Sequence, residues 1–576
     1  MDTHSISLII TLLLVFFSAI CGGIVAKFLK QPTLLGYIAV GVLFGNLLSR
    51  WIDQSFLQTI ADTGVTLLLF TLGVEFSFHR LRKILGSVVW AVTAQMFLSM
   101  FVCFLVLLGV GLEFLPSLFI AVAASLSSTA LAVKILSERG ELETLHGEIA
   151  VGWCVIQDLS VVPVMLLLPA IVGVQASGTA TITATILVVV MSLVKAGLAL
   201  ALIIFLGRKG IPRLLNLVAG LGSREIFLIT TIGIVFLAAL ITYALGLSTA
   251  LGAFIAGLLI SETSQNHAIF AEVRPLRDIF SVVFFVSLGM VLPIASVVHQ
   301  APLLLGMTFL VMIVKWFLVF GLSRYMGYHR KTAFLVAVAL MQMSEFGFII
   351  AKVGSSLGVL TGDRYVFLVS LTFFTMFVGT PLLAGGHAVY YLFYRTIGKL
   401  LPRLFSSKQE LTPNREELPI KNHIVICGYG RVGKYIGRAL DMAKIPFLVV
   451  EYNQATVSEL RSKGIQVVYG DPADKDVLDF AQVDFARAIV IAIPDRHTQE
   501  MIIGNAQTLN RRIRIICRTH HEEDQRHLKS LGVHTIVQPE FEAALSVIER
   551  ILPEFGVTPE DLSGKISRLK IEHGLG

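Results

Sequence analysis

From Ser5 to about Tyr394 the chain consists of apolar segments separated by short polar loops. Each segment is roughly 17–25 residues long, which is enough for a helix to cross the ~30 Å hydrocarbon core of a bilayer. After Arg395 the sequence becomes charged and typical of mixed α/β proteins. The chain therefore divides into a polytopic α-helical membrane domain and a C-terminal soluble domain, in keeping with a composition of 55% hydrophobic and 15% charged residues.

Segment length predicts about thirteen spanning helices. They lie near residues 5–26, 33–49, 57–77, 86–110, 115–137, 146–171, 181–206, 225–247, 248–262, 276–293, 301–323, 332–356 and 363–394. No basic region precedes the first segment, so we interpret it as a spanning helix and not as a cleaved signal peptide. An odd number of spans places the two termini on opposite sides of the membrane.

Most lysine and arginine residues of the membrane domain fall in loops on one side, including Arg139 and Arg274, whereas the other side carries little beyond Arg50 and Arg364. The positive-inside rule then places the C-terminal domain in the cytoplasm and the N-terminus outside, as expected for a bacterial inner-membrane protein. The net charge of +7 reflects this loop bias and does not indicate nucleic-acid binding. Five scattered cysteines form no CxxC pair, so neither a disulfide framework nor a zinc site is predicted.

Asp158 lies near the middle of the apolar run 149–168. A charge at bilayer depth costs roughly 2.5 kcal/mol or more, and membrane proteins keep one mainly in ion or proton pathways. Low dielectric favours the neutral carboxyl, so such a group holds either a proton or a dehydrated monovalent cation, but not both. If the site opens alternately to the two faces, this competition produces antiport. Gln157 would offer the cation a carbonyl oxygen without a second titrating charge.

Three other spans carry polar groups at depth. Ser127, Ser128 and Thr129 in the fifth span, and Ser344 and Glu345 in the twelfth, suggest interrupted helices at matching positions of two inverted halves, which is a typical transporter binding site. The alternative is structural, because hydroxyls in membrane helices often bond to their own backbone or join helices, and Glu345 would then only support the helix crossing. Lys315 in the eleventh span either snorkels to the interface or, as its depth favours, pairs with a carboxylate.

Taken together, the motifs of the membrane domain resemble the Kef branch of the cation/proton antiporter-2 superfamily. The matching motifs are Gln157-Asp158, Leu-Ser-Ser-Thr-Ala at 126–130, Phe-Phe-Val-Ser-Leu-Gly-Met at 284–290 and Ser344-Glu345-Phe-Gly. The resemblance implies a NapA/NhaA-like antiporter fold of inverted repeats, with the fifth and twelfth spans as crossed, broken helices. It also implies a homodimer with elevator-type alternating access.

In this resemblance Asp158 is the ion-binding acid and Lys315 the basic residue of the core domain. Potassium is the implied cation, exchanged for about one proton. Relatives with acids at both 157 and 158 move sodium, so Gln157 favours potassium. A sodium/proton antiporter of the same fold remains the alternative.

The C-terminal domain begins with His-Ile-Val-Ile-Cys-Gly-Tyr-Gly-Arg-Val-Gly at 423–433. Here the GxGxxG pattern follows an apolar strand and precedes a helical pattern at 432–443, which is the context of a dinucleotide-binding fingerprint. Gly428 permits a tight turn, Gly430 the approach of a phosphate, and Gly433 close helix–strand packing. The helix N-terminus at Arg431 and Val432 offers N–H groups to phosphate.

A second strand ends in Glu451, which would bind a ribose hydroxyl and repel a 2′-phosphate. Strands at 466–469, 488–493, 513–518 and 535–537 complete a doubly wound Rossmann-like sheet. The domain resembles the TrkA-N family, the N-terminal lobe of regulators of potassium conductance. This resemblance implies AMP or NAD(H) as a regulatory ligand, with Asp471 near the adenosine and Arg518 as a further candidate contact. A domain that has lost its ligand and serves only in dimerisation stays open as the alternative.

These observations predict a transmembrane exchanger domain at 1–398, a linker at 399–421, a nucleotide-binding domain at 422–556 and a tail at 557–576. No second substrate domain accompanies the nucleotide fingerprint, so we expect a nucleotide sensor, and neither an enzyme nor a redox cofactor. The Kef resemblance also suggests glutathione control and a cytoplasmic regulatory protein. The loop 267–275 keeps Glu272 but has Phe270 and Arg274 where acids are expected, which argues against glutathione.

Two other classes of function compete with the antiporter. A nucleotide-gated cation channel is disfavoured because the sequence has no Thr-Val-Gly-Tyr-Gly filter. A membrane-bound nicotinamide oxidoreductase would need haem, flavin or quinone, and no pair of membrane histidines is spaced to ligate haem.

Overall fold

The computed structural model describes residues 3–48, 51–75, 88–142, 144–176, 207, 210–218, 220–221, 223–244, 249–261, 263, 266–397, 422–519 and 522–572. The predicted span at 181–206 and the predicted linker at 399–421 lie outside these residues. Contacts divide the chain into two compact units. The first contains Met1–Ala132, Ala150–Leu322 and Ala337–Leu383; the second contains Val133–Ile149, Ser323–Val336 and Ala384–Gly576.

The described residues before 398 are almost entirely helical, as the predicted fold class requires. The helices are α1 (Thr3–Phe28), α2 (Thr33–Leu47), α3 (Gln54–Glu75), α4 (Val89–Gly109), α5 (Phe114–Ser125), α6 (Thr129–Glu138), α7 (Leu145–Ala176), α8 (Arg224–Ala244), α9 (Thr249–Ser261), α10 (Asn266–Met290), α11 (Ile294–His299), α12 (Ala301–Tyr325), α13 (Arg330–Leu340), α14 (Phe346–Ser356), α15 (Asp363–Ala384) and α16 (Gly386–Ile397).

Among the described residues, seven helical segments are long and apolar enough to span a membrane, and three shorter helices are apolar as well. The predicted count of thirteen spans stays a prediction. The single predicted span at 363–394 is wrong, because α15 ends at Ala384 and α16 begins at Gly386. The Gly385-Gly386 pair explains the interruption, since glycine loses the most conformational entropy in a helix.

Two predicted spans are broken in the middle, as the polar sequences suggested. Residues 126–128 separate α5 from α6, and Leu126 has an extended backbone with φ −85° and ψ 150°. The Ser128 hydroxyl accepts a hydrogen bond from Leu131 N–H at 3.2 Å, which caps the start of α6. Residues 341–345 separate α13 from α14 in the same way. The breaks expose backbone carbonyls and N–H groups inside the first unit.

Close helix contact in the first unit depends on small residues. A Cβ atom on Gly257 in α9 would lie 2.1 Å from the Phe70 carbonyl oxygen of α3, so only glycine permits this approach. The surrounding core is apolar and includes Phe119 and Ile120 of α5 and Phe348 of α14, which are fully buried. This packing holds the broken helices in place.

The C-terminal domain is a parallel six-stranded sheet flanked by helices. Its elements are β1 (Ile424–Cys427), α17 (Arg431–Met442), β2 (Phe447–Glu451), α18 (Gln454–Ser462), β3 (Val467–Tyr469), α19 (Lys475–Phe480), β4 (Ala488–Ile491), α20 (Arg496–Leu509), β5 (Arg514–Arg518), α21 (Glu522–Ser530), β6 (Thr535–Val537), α22 (Pro539–Ile551) and α23 (Pro559–Glu572). The strand order is β3-β2-β1-β4-β5-β6. This order confirms the predicted doubly wound sheet, whose ligand crevice lies at the carboxyl ends of β1 and β4, where the strand order reverses.

Candidate functional site

The two helix breaks of the first unit meet around the ammonium group of Lys315. This fully buried side chain of α12 donates to the carbonyl oxygen of Leu126, at the end of α5, and to that of Gln342, at 2.8 Å, just after α13. The last carbonyls of a helix lack intrahelical partners and carry partial negative charge. The prediction that Lys315 pairs with a carboxylate is therefore wrong among the described residues. Two helix C-termini supply the partial negative charge instead.

Serine side chains join the two breaks directly. Ser127 Oγ donates to Leu340 O at 2.7 Å, and Ser128 Oγ donates to Glu345 Oε2 at 2.6 Å. Ser344 Oγ lies 3.4 Å from the same Glu345 oxygen. Ser127, Ser128 and Ser344 are completely buried, whereas Glu345 is half-buried. These bonds give the three serines at least the structural role that the sequence left open.

Asp158 lies on α7 beside the start of α6. Its Oδ2 atom accepts a hydrogen bond from Thr129 Oγ1 at 2.6 Å. Both residues are only partly buried, unlike the neighbouring Gln157. An acid and a hydroxyl, neither of them fully buried, thus lie side by side at the start of α6.

Gln157 has a different environment from the one predicted. Its side-chain oxygen accepts from Ser127 N–H at 2.9 Å, and its amide nitrogen donates to Gln95 Oε1 at 2.6 Å. Gln95, on α4, also donates to Ser125 O at 3.1 Å and accepts from Trp153 Nε1 at 3.1 Å. The Gln157 amide, next to Asp158 in the sequence, therefore stabilises the backbone of the break between α5 and α6.

Gln95 is a residue that sequence reasoning missed. A single amide in the apolar sequence of α4 has no motif around it, and its partners lie on α5 and α7. The available signal was the cost of an unpaired amide at bilayer depth, which requires a partner somewhere in the fold.

In the second unit, the GxGxxG turn has the predicted backbone geometry. Gly428 has φ +90°, in the left-handed region, and a Cβ on Gly433 would lie 2.2 Å from the Gly428 carbonyl oxygen. A Cβ on Gly430 would meet no atom within 4 Å, so space lies in front of the α17 N-terminus, where Arg431 and Val432 follow. The turn therefore leaves open a position suited to phosphate.

This turn borders a cavity of about 330 Å³ in the second unit. Four of the predicted nucleotide-binding residues, besides Gly428, line it: Gly430, Arg431, Glu451 and Arg518. Lys434 and Asn453 add a cation and an amide. Anion-binding and ribose-binding groups thus share one crevice.

Glu451 is held rigidly at this crevice. Its Oε2 accepts from Tyr429 N–H at 2.7 Å, and its Oε1 accepts from Tyr452 and Asn453 N–H at 2.8 and 2.9 Å. Burial raises the pKa of Glu451, although these three donors lower it in part. The carboxylate keeps lone pairs for a further hydroxyl donor.

The sequence predicted that Asp471 lies near the adenosine, whereas in the structure its carboxylate contacts a lysine. Asp471 is not among the described residues that line the cavity. Its carboxylate pairs with Lys331 Nζ at 3.1 Å, where the ammonium also binds Tyr391 Oη at 2.7 Å and Thr498 Oγ1 at 3.2 Å. Asp471 and Lys331 are both buried. Because Lys331 belongs to the segment Ser323–Val336, the pair holds this segment within the second unit.

Residues from the loop between α6 and α7 also line the cavity, which the sequence did not reveal. Gly140, Glu141 and Thr144 of this loop contribute to its wall, and so does His146 in the first turn of α7. Arg139 precedes them and binds Asp495 Oδ1 at 2.9 Å. Nothing in the loop sequence resembles a nucleotide motif, and its position depends on tertiary packing.

Comparison with known proteins gives consistent matches in both parts of the chain. Residues 13–385 match the family described as sodium/hydrogen exchanger, transmembrane, and residues 424–539 match the TrkA-N domain. The putative cation/proton antiporter YbaL of Escherichia coli is 27% identical over 550 residues, which cover 95% of this chain and 97% of that protein.

The glutathione-regulated potassium-efflux system protein KefC of Cronobacter sakazakii is 30% identical over 563 residues, covering 97% of this chain and 86% of that protein. Among solved structures, the TrkA-N domain of the Escherichia coli inner membrane protein YbaL matches with 30% identity and a TM-score of 0.23. This match covers 23% of this chain and 99% of that one.

Proposed function

Because the chain belongs to the sodium/hydrogen exchanger family of transmembrane proteins, we propose that it exchanges potassium for protons through Asp158, under the control of a nucleotide in its C-terminal domain. The protein is an integral membrane cation/proton antiporter, as its family and relatives establish. The proposal concerns the cation, the transport site, the alternating movement and the regulation.

The observation that carries the proposal is the environment of Asp158. Its carboxylate is partly accessible and accepts a hydrogen bond from Thr129 at 2.6 Å, which orients one carboxylate oxygen beside the break between α5 and α6. A carboxylate in this position binds a proton or a cation, and each excludes the other. Protonation on one side and cation binding on the other give a coupled exchange cycle.

Potassium is favoured over sodium because Asp158 is the single acid of the 157–158 pair. The structure strengthens this argument in one respect: the Gln157 amide is hydrogen-bonded to Ser127 and Gln95, so it is occupied in a neutral network. With one titrating charge, one cation replaces about one proton. The relative KefC is described as a potassium-efflux system, which agrees with this choice of cation.

We infer elevator-type alternating access from the hydrogen bonds that join the two helix breaks. Lys315, Ser127 and Ser128 tie the two broken helices to each other, so the ion site would move with them as one body. The homodimer implied by the Kef resemblance, the inner-membrane location and the cytoplasmic position of the second unit belong to the same proposal. A cytoplasmic regulatory protein remains a further expectation.

Nucleotide control is supported by chain connectivity. The loop that lines the cavity joins α6, which carries Thr129, to α7, which carries Asp158. AMP or NAD(H) bound at Gly430 and Glu451 would contact this loop and restrict both helices. The charge of Glu451 disfavours a ligand with a 2′-phosphate.

The test is proton flux in proteoliposomes that contain a trapped pH-sensitive dye, with potassium or sodium as the sole cation. We expect potassium-dependent flux for the wild type, its loss in Asp158→Asn, and its retention in the control Glu138→Gln, whose carboxylate is exposed on α6. Flux retained by Asp158→Asn would overturn the assignment of the site, and flux with sodium alone would assign the other cation. AMP and NADH added to the side of the C-terminal domain test regulation.

A further inference from the structure

Three potential metal ligands converge in the second unit, outside the membrane ion site. Glu141 comes from the loop between α6 and α7, His146 from the first turn of α7, and His387 from α16. One carboxylate oxygen and one ring nitrogen from each histidine lie within 4.8 Å of one another, and all three side chains are buried. Segments far apart in the sequence thus deliver three ligand-type groups to one point.

The distances in this cluster suit a bound cation. Glu141 Oε2 lies 3.0 Å from His146 Nε2 and 3.5 Å from His387 Nε2. Two donors on one tetrahedral zinc ion are separated by about 3.3 Å, for metal–ligand bonds of about 2.0–2.1 Å. Only small shifts would bring the carboxylate and both imidazoles onto one ion.

The surroundings of His387 support the same conclusion. Its Nδ1 lies 3.3 Å from Asp495 Oδ2, so the carboxylate holds a proton on Nδ1 and leaves the Nε2 lone pair facing Glu141. His387 Nε2 makes no hydrogen bond within the described residues, although it is buried. A cation at this point, either a proton or a metal ion, would relieve the repulsion between Nε2 and the Glu141 oxygen 3.5 Å away. A carboxylate behind a histidine is also the usual outer partner of a metal-binding imidazole.

The remaining ligands are oriented as well. Arg139 Nε binds Glu141 Oε1 at 2.7 Å, which turns Oε2 towards the histidines. The Thr144 hydroxyl lies 3.0 Å from His146 Nδ1, and His146 Nε2 lies 3.0 Å from Glu141 Oε2 in a hydrogen bond that the ion would replace. All three ligands line the 330 Å³ cavity, so a water molecule has room to complete the coordination.

We propose that Glu141, His146 and His387 bind one divalent transition-metal ion, with zinc as the best-matched probe. Two imidazole nitrogens and one carboxylate oxygen form a ligand set that zinc commonly accepts, with a fourth position for water. The hard cations magnesium and calcium prefer oxygen ligands and would bind weakly. The proposal stands apart from potassium transport, because the cluster and Asp158 share no side chain.

The test uses the purified full-length protein without a polyhistidine tag, stripped with a chelator and titrated with zinc alone. We expect one tightly bound zinc per chain, and at least a tenfold weaker affinity in His387→Gln and in Glu141→Gln. The matched control is His527→Gln, which alters a partly exposed histidine, paired with Glu500 at 2.8 Å, that is not among the described residues lining the cavity. Equal zinc binding by the His387 variant and the wild type would overturn the site.

A second measurement does not depend on variants. Cobalt added to the stripped wild-type protein should give the visible absorption of a tetrahedral nitrogen–oxygen site, and zinc should displace it at one equivalent. Thermal unfolding of the wild type should shift upwards with zinc and remain unchanged with magnesium. Absence of the cobalt spectrum and of the zinc shift would overturn the site and leave the cluster as hydrogen bonds between Glu141 and the two histidines.

Discussion

The side-chain oxygen of Gln157 accepts a 2.9 Å hydrogen bond from the backbone N–H of Ser127, so the residue beside Asp158, the proposed transport acid, stabilises a helix break. Replacement Gln157→Glu removes the amide donor to Gln95 and places a carboxylate oxygen against the Gln95 oxygen. A buried polar group left without its partner costs about 1–3 kcal/mol. We expect a lower melting temperature in detergent, together with slower flux.

The control for this prediction is Ser160→Ala, because Ser160 binds only the Gln157 carbonyl of its own helix among the contacts described. It should melt close to the wild type. A Gln157→Glu protein that melts at the same temperature as the wild type would contradict the structural role of Gln157.

Lys315→Met should destabilise the first unit more strongly than loss of a surface lysine. The change leaves the carbonyls of Leu126 and Gln342 buried without their ammonium donor, at about 1–3 kcal/mol for each unsatisfied group. Lys134→Met is the control, since Lys134 is exposed and forms only a long contact of 4.0 Å with Glu138 one helical turn away. Equal melting temperatures for the two variants would contradict a structural role of Lys315.

Much of the fold was accessible from the sequence because its determinants are local. Segment length predicted the membrane helices, the polar sequences at 126–130 and 341–347 predicted the two breaks, and the glycine spacing predicted the turn after β1. Each of these depends on residues within a few positions of one another.

The partners of Lys315, Gln157 and Asp471 were not accessible, because they depend on which distant segments meet. A buried positive charge at bilayer depth requires a negative partner. Carboxylates and helix C-termini can both supply one, and the sequence does not show which of them lies next to Lys315. Gln95 and the segment 140–148, which comprises the loop after α6 and the first turn of α7, lack any periodic or motif signal, so only the folded chain reveals their positions.

The buried pair of Lys331 and Asp471 predicts both a mutational and a pH effect. Burial opposes the charged form of Asp471, but Lys331 and the Ala473 N–H lower its pKa below the ordinary 3.8. Its stabilising contribution is therefore present above pH 3.8 and is lost as the pH falls through the lowered folded-state pKa. The loss of stability of the wild type on acidification below this point should be reduced in Asp471→Asn.

At neutral pH, Lys331→Met leaves a buried carboxylate unpaired, which costs about 3–5 kcal/mol. The double variant with Asp471→Asn removes both charges and should recover part of that stability. Lys463→Met, which affects a lysine paired with Glu459 on the exposed face of α18, is the control. A Lys331→Met protein that unfolds at the same temperature and denaturant concentration as this control would refute the pair.

Gly430→Ala separates nucleotide binding from folding. The Gly430 backbone is extended, with φ −71° and ψ −159°, and an added Cβ would contact no protein atom within 4 Å. The methyl group would instead occupy the space where a phosphate approaches the α17 N-terminus. We expect unchanged thermal unfolding and at least tenfold weaker binding of AMP and NADH, measured by calorimetry. Gly504→Ala is matched to it, because a Cβ there also meets no atom within 4 Å but lies on α20, away from the described lining of the cavity. If both alanine variants bind nucleotide like the wild type, the phosphate is not bound at the turn after β1.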